Sequence, residues 1–277
     1  EAALKAIGAE IGKNVEIDDM DLSDPASVEA FAQRFIKSGR AIHLLINNAG
    51  IMACPLKRDA RGYEMQFATN HLGHFQLTKA LWPALVAAKG ARVVNVSSWG
   101  HRFSPVHFED VNFNSREYER FLSYGQSKTA NILFAVEIDK RGKQDGIRAF
   151  ALHPGAILET DLARHLTNAD FEAMGVVDKD GNVIETEGRK FKNIPQGAAT
   201  TVWCATSPKL ANIGGVYADD CEISPILHPE LDVNGNPKPV DMTNMDKGVM
   251  EYAINTENAG RLWTLSEELI AAGKTAG

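Results

Sequence analysis

Short apolar runs and longer amphipathic stretches alternate along most of the chain. Apolar runs of strand length occupy residues 42–46, 91–98, 147–152 and 214–217. The stretches at 63–85, 124–138 and 197–205 place apolar side chains at the three- and four-residue intervals of a helix. Strands and helices that alternate in this way are typical of an α/β protein with a parallel sheet.

The two ends of the chain extend this pattern. Residues 1–11 are predicted to be the end of an amphipathic helix, and residues 15–22 alternate as a β-strand does. Clustered prolines predict a C-terminal loop region over residues 219–258 rather than a second domain. An amphipathic helix over 259–271 closes the chain, so residues 1–277 are predicted to form one domain.

The composition is that of a soluble globular protein. Of 277 residues, 44% are hydrophobic and 23% are charged, and the net charge of −7 excludes a basic nucleic-acid surface. No apolar run approaches the ~20 residues of a membrane span, and the N-terminus lacks the apolar core of a signal peptide. Cys54, Cys204 and Cys221 are widely spaced, which predicts a reducing, cytoplasmic location without a metal site or disulfide framework.

Candidate chemistry centres on Tyr124 and Lys128. If the helix begins near Tyr124, the two side chains lie one turn apart on the same face. A phenol titrates near pH ~10 in water, and a fixed ammonium nearby favours the phenolate. The pair can therefore exchange a proton, although so short a motif also recurs on helix surfaces by accident.

Other motifs accompany this pair. One strand ends in Asn47-Asn48-Ala49-Gly50, another in the hydroxyls of Ser97 and Ser98, and a third is followed by Pro154-Gly155. Asn70 lies in the middle of a predicted helix, where an asparagine is unfavourable unless it bonds something. In this order the motifs resemble the short-chain dehydrogenase/reductase family, and the detail around Asn70 resembles its retinol-dehydrogenase-like branch.

The resemblance implies a Rossmann-like, doubly wound parallel sheet. It also implies an enzyme that transfers hydride between a nicotinamide cofactor, NAD(P)(H), and a small-molecule alcohol or carbonyl substrate, which the branch suggests is apolar. Residues 161–195 correspond to the family's substrate lid. The sequence leaves the oligomeric state open, a homo-oligomer included.

The resemblance assigns four catalytic residues. Tyr124 is expected to be the general acid in reduction and the base in oxidation, while Lys128 lowers its pKa and binds ribose hydroxyls. Ser98 is expected to hydrogen-bond the substrate oxygen, because the family uses the second serine of this pair and Ser97 faces the opposite side of an extended segment. Asn70 is expected to hold a water that links to Lys128 in a proton relay.

The resemblance also assigns cofactor contacts. Besides Tyr124 and Lys128, the residues expected to touch the cofactor are Asp21, Leu22, Asn48, Ala49, Gly50, Pro154 and Gly155. On sequence alone, Asp21 and Leu22 fit equally well as a helix cap and a core residue. His71 and His74 lie three residues apart, but without a third ligand nearby they are expected to pack or cap rather than bind metal.

One part of the family pattern is missing. The family's glycine-rich turn, which binds the cofactor pyrophosphate, does not occur before Gly39. The chain therefore looks N-terminally truncated, without the first βαβ unit, and residues 1–277 alone are expected to fold marginally. Because this turn is missing, the alternative function is a catalytically impaired, cofactor-binding module of the same fold. A sugar-nucleotide epimerase is a second rival, which the absence of a separate substrate domain disfavours.

Overall fold

The computed structural model of the protein describes residues 15–234, 238–242 and 245–275. The helix predicted over residues 1–11 lies outside this part of the chain. The strands are β1 Leu44–Asn47, β2 Arg92–Val96, β3 Arg148–His153, β4 Val216–Asp219, β5 Glu222–Ile223, β6 Ile226–Leu227 and β7 Val249–Met250. The α-helices are α1 Pro25–Lys37, α2 Met65–Phe67, α3 Gly73–Ala80, α4 Trp82–Ala87, α5 Arg120–Gly142, α6 Asn168–Ala173, α7 Ile194–Thr206 and α8 Thr256–Thr275.

The main sheet has the strand order β1-β2-β3-β4-β5. The first four strands are parallel, with Ile46 beside Val94 and Val94 beside Phe150, and β5 turns back antiparallel to β4. The predicted parallel-sheet α/β architecture is confirmed. Because parallel strands end at one edge, the residues that follow β1, β2 and β3 come together there.

The two faces of the sheet are covered by different helices. Val93 and Ala149 pack with α5 and α8 on one face, where Trp263 of α8 lies 6.0 Å from Phe134 of α5 between ring centroids. Val94 and Phe150 point to the other face and pack against α7. This alternation along β2 and β3 is what a strand buried on both sides requires.

Residues 15–22 were predicted to be a strand, and this prediction is wrong. The segment runs without strand pairing, because no described strand lies beside it to satisfy its main-chain hydrogen bonds. Exposed ion pairs tie it to α1 and to the residues just after that helix instead, from Asp18 to Arg34 and from Glu16 to Arg40.

Two helix boundaries also differ from the sequence pattern. Residues 63–85, predicted as one helix, form α2, a π-helical turn at Ala68–Leu72, α3 and α4. The helix is interrupted at Leu81, because Pro83 carries no N–H to donate within a continuous helix. Helix α5 begins at Arg120, four residues before the predicted start, because Glu119 caps it by accepting from the Leu122 N–H at 2.6 Å.

A long excursion between β3 and α7 corresponds to the predicted 161–195 segment, and the C-terminal loop region packs against it. The Lys192 N–H donates to the Ala156 carbonyl at 2.8 Å, which ties the two ends of the excursion together. The predicted loop region at 219–258 is mostly irregular, with the short strands β5, β6 and β7 inside it. No helix in the described part of the chain has the length and hydropathy needed to cross a bilayer.

Candidate active site

Tyr124 and Lys128 lie one turn apart on α5, as predicted. Both side chains are 3% exposed, and the Lys128 Nζ atom is 5.6 Å from the centre of the Tyr124 ring. The Lys128 ammonium donates to the Val96 carbonyl at the end of β2, at 3.1 Å. The end of the strand therefore fixes the lysine beside the phenol.

Ser98 completes this cluster. Its Oγ atom accepts from the Gly100 N–H at 3.0 Å, and its hydroxyl lies near enough to the Tyr124 phenol to act on the pKa of that group. Gly100 has no room for a side chain, because a Cβ atom there would lie 2.9 Å from Cε1 of Tyr124 and 3.3 Å from Oγ of Ser98. The close approach of the serine and the tyrosine depends on this glycine.

Ser97 has a different role. Its hydroxyl donates to the main-chain carbonyl of Lys128 at 2.7 Å, and it is 2% exposed. The bond joins the end of β2 to α5 and leaves Ser97 no part in the cluster around the phenol. The two serines thus make contacts on different sides, as extended backbone requires.

The electrostatics differ from the sequence expectation in one respect. Burial raises the pKa of Tyr124 to about 12, with the neighbouring Ser98 hydroxyl opposing the rise. Burial also lowers the pKa of Lys128 to about 8. The expectation that Lys128 brings the phenol pKa down does not hold here, because desolvation outweighs the attraction of an ammonium 5.6 Å from the ring. At neutral pH the phenol is protonated and the lysine is charged.

Asn70 lies in the π-helical turn, fully buried. Its side chain clamps the main chain of Ile51, accepting from the N–H at 2.8 Å and donating to the carbonyl at 2.9 Å. It also donates to Oγ of Ser127 on α5 at 2.9 Å. These bonds explain an asparagine in mid-helix: its amide joins the segment after β1 to the helix that carries Tyr124 and Lys128.

Two histidines that the sequence did not single out hold the backbone of Ser98. The Nδ1–H of His101 donates to the Ser98 carbonyl at 2.7 Å, and the Trp99 N–H donates to Nδ1 of His153 at 3.1 Å. Burial lowers the pKa of both imidazoles to about 3, so both are neutral. Nothing in the local pattern marks them, because their partners are main-chain atoms that only the fold brings near.

His71 and His74 pack and hydrogen-bond, as expected. His71 lies 2.7 Å from Oγ of Ser266 on α8, and His74 lies 2.9 Å from the main-chain carbonyl of Asn70. Both imidazoles are buried, and burial lowers the pKa of His71 to about 3 and of His74 to about 4. Both rings are therefore neutral; His71 joins its helix to α8, whereas His74 bonds within its own helical run.

The predicted cofactor contacts near the cluster border an open edge. Asn48 and Ala49 are exposed just after β1, and Gly50 faces the catalytic cluster. A Cβ atom at Gly50 would lie 3.1 Å from Oδ1 of Asn70 and 3.3 Å from Nζ of Lys128. A glycine that keeps this space clear beside a three-donor ammonium fits the nicotinamide-ribose end of the cofactor.

Pro154 and Gly155 follow β3 at the same edge. Gly155 has φ +95°, a conformation that favours glycine, and the side chain of Lys192 lies over it. Lys192 is ion-paired with Asp220, just after β4. The predicted contact thus sits beneath the end of the 161–195 segment.

Leu22 shows the core role that the sequence left open, whereas Asp21 is not the helix cap. Asp21 accepts from the N–H and hydroxyl of Ser23 in the turn before α1, at 2.8 and 2.7 Å, whereas the cap of α1 is Asp24. Leu22 is 8% exposed and packs in the core against Val28 of α1. The exposed Asp21 carboxylate and its expected contact with adenine stay a prediction.

Comparisons with known proteins agree with this geometry. The sequence model described as "short chain dehydrogenase" matches residues 1–170. A "Probable oxidoreductase" of Streptomyces antibioticus is 41% identical over 259 residues, which cover 93% of this chain and 80% of that protein. Mouse "Retinol dehydrogenase 12" is 34% identical over 271 residues, covering 98% of this chain and 74% of that protein.

A solved structure of an uncharacterised protein from Mycobacterium paratuberculosis superposes with a TM-score of 0.64 at 32% identity, covering 96% of this chain and 80% of that one. Together these relatives confirm the resemblance drawn from the motifs, including its retinol-dehydrogenase-like detail. The chain belongs to the short-chain dehydrogenase family and is a nicotinamide-dependent oxidoreductase.

Proposed function

We propose that this enzyme interconverts an apolar alcohol and the matching aldehyde or ketone, with Tyr124 as the acid and base. The observation that carries the proposal is the grouping of the buried Tyr124 phenol with the Ser98 hydroxyl beside it and the Lys128 ammonium one helical turn away. This cluster lies where the parallel strands end, which is where ligands bind in open α/β sheets. When bound, the nicotinamide would supply or accept the hydride.

In carbonyl reduction, Tyr124 donates its phenolic proton to the substrate oxygen. The raised pKa of about 12 keeps the phenol protonated at neutral pH. The Ser98 Oγ atom accepts from the Gly100 N–H, and its own O–H would donate to the same substrate oxygen as charge develops. In alcohol oxidation the proton moves the other way, from the substrate hydroxyl to the Tyr124 tyrosinate.

Lys128 has two parts in this scheme. Its charge stabilises the tyrosinate that remains after proton transfer, since an opposite charge within several ångströms favours the ionised form. One of its N–H donors is bonded to the Val96 carbonyl, and the other two are available for ribose hydroxyls. Asn48, Ala49, Gly50, Pro154 and Gly155 would border the nicotinamide half of the cofactor, and Asp21 and Leu22 its adenine.

An apolar substrate is supported by aromatic side chains next to the cluster. Phe103 packs against Trp99 and Phe121, with ring centroids 5.6 and 6.0 Å apart. Val106, Val111 and Phe113 are buried and anchor the loop after β2, so they do not line an opening. The three cysteines are unpaired, which supports the proposed cytoplasmic location.

The test is Tyr124→Phe, assayed for reduction of long-chain and aromatic aldehydes by absorbance of the reduced cofactor. Loss of general acid catalysis is expected to lower kcat ~10²-fold or more. Cofactor affinity, measured by fluorescence titration, is expected to stay within a few-fold. A variant that keeps most of its kcat would assign the proton transfer elsewhere. Cofactor binding by the unmodified protein without turnover of any carbonyl would support the impaired binding module instead.

A further inference from the structure

The side chain of Asn70 has little capacity left for a proton relay. Its Nδ2 group uses both hydrogens, on the Ile51 carbonyl and on Ser127, and its Oδ1 atom accepts from the Ile51 N–H. The side-chain amide hydrogens are thus committed to structural bonds, and the main-chain carbonyl of Asn70 is a second acceptor that could hold a water. Whatever fixes the direction of that carbonyl acts on the relay.

His74 donates to that carbonyl. Its Nδ1 atom is 2.9 Å from the Asn70 oxygen, and since a carbonyl only accepts, Nδ1 carries the hydrogen. The imidazole is 3% exposed, and burial lowers its pKa to about 4, with the nearby Lys128 charge as a further cause. His74 is thus a neutral ring with a fixed tautomer, close enough to Lys128 to feel its charge.

The bond coincides with an irregularity of the helix. In the π-helical turn at Ala68–Leu72, the Gly73 N–H donates to the Ala68 carbonyl five residues back instead of four. On the other side, Gly73 presses against the Leu22 carbonyl so closely that a Cβ atom would overlap it. The wider turn shifts the main-chain hydrogen bonds of the helix next to Asn70. The His74 imidazole, from the following turn, donates to the Asn70 carbonyl there.

We infer that His74 is a positioning residue of the proton relay: it fixes the Asn70 carbonyl so that its second lone pair stays directed to a water shared with Lys128. The inference rests on the proposed roles of Tyr124 and Lys128. His74 does not touch substrate or cofactor. Its contribution is the direction of one carbonyl, and hence the rate at which a proton returns to the tyrosine after each turnover.

The experiment compares two amides at position 74. In His74→Asn the amide nitrogen stands where Nδ1 stood, so the bond to the Asn70 carbonyl is kept. In His74→Gln the amide reaches the place of Nε2, and the bond is lost although the pocket is better filled. We expect kcat within about threefold of the unmodified enzyme for His74→Asn and about tenfold lower for His74→Gln. Packing alone predicts the opposite order, because asparagine leaves the larger cavity.

Two more readouts separate the outcomes. The solvent deuterium isotope effect on kcat is expected to rise in His74→Gln while cofactor affinity is unchanged; an unaltered isotope effect in His74→Gln overturns the inference, even if His74→Asn does not fold. Tyr124→Phe in the same assay reports on the proposed function itself. If Tyr124→Phe is inactive and kcat is higher in His74→Gln than in His74→Asn, the inference fails and the proposed function stands. If Tyr124→Phe is active, the proposed function fails, and the inference with it.

Discussion

A methyl group at Gly100 tests how closely Tyr124 must fit. The Cβ atom of Gly100→Ala would lie 2.9 Å from Cε1 of Tyr124, whereas ordinary contact begins at 3.4 Å. The ring must therefore move by about half an ångström, because burial leaves it no free space. Sliding the whole loop away from α5 is no easier, since at Gly125 a Cβ atom would already be 2.8 Å from the Gly100 carbonyl.

The displacement sets the size of the effect. Overpacking of this kind costs ~1–3 kcal/mol of folding free energy. A misplacement of ~1 Å costs ~10²-fold in rate, so half of it is expected to lower kcat of Gly100→Ala ~10-fold or more. Cofactor affinity is expected to change less than about threefold, because Lys128 and the residues after β1 are untouched. Steady-state kinetics, cofactor titration and thermal unfolding measure the three quantities.

Gly260→Ala is the matched control. In α8, a Cβ atom at Gly260 would lie 3.9 Å from Oε2 of Glu137, which is ordinary contact. Alanine in a helix is favoured over glycine by up to ~1 kcal/mol, so this variant is expected to be as stable as the unmodified protein or more so, with unchanged kcat. If Gly100→Ala matched Gly260→Ala in both stability and kcat, the argument that Tyr124 needs a fixed position would be refuted.

Two further predictions concern the same cluster. Ser98→Ala is expected to lower kcat ~10²-fold, whereas Ser97→Ala loses a bond to the Lys128 carbonyl and is expected to cost about 1 kcal/mol of stability with a much smaller change in kcat; the reverse ranking in paired kinetics would contradict the assignment. Because burial lowers the pKa of Lys128 to about 8, kcat/KM for carbonyl reduction is expected to fall as the pH rises through about 8 and the ammonium is lost; a profile flat through that range would show that another group controls the reaction.

The sequence pattern located the parallel strands and the catalytic pair well. Periodicity alone places Tyr124 and Lys128 on one helix face, and the motif order brings Ser98 to the same edge of the sheet. It located the fine geometry poorly. The π-helical turn around Asn70 coincides with side-chain bonds to Ile51 and Ser127, and the break at Leu81 comes from Pro83; a window of apolar positions records neither.

Residue roles that depend on distant main-chain atoms were the hardest to predict. His101 holds the Ser98 carbonyl through Nδ1 and accepts from the Met250 N–H through Nε2 at 3.1 Å, across a separation of 149 residues. The predicted direction of the Tyr124 pKa shift was wrong for a related reason. The sequence shows that a lysine is near, but only the fold shows how completely the phenol is removed from water.

Arg189 joins the 161–195 excursion to the C-terminal loop region. Its buried guanidinium donates to the carbonyls of Met174, Gly175 and Ile184, and also to that of Met242 in the C-terminal loop region. Because one rigid, planar guanidinium bonds to all of these segments, they are held to one another rather than packed as separate loops. If residues 161–195 are the substrate lid that the resemblance implies, we expect the lid to open only together with the C-terminal loop region that Arg189 bonds to it.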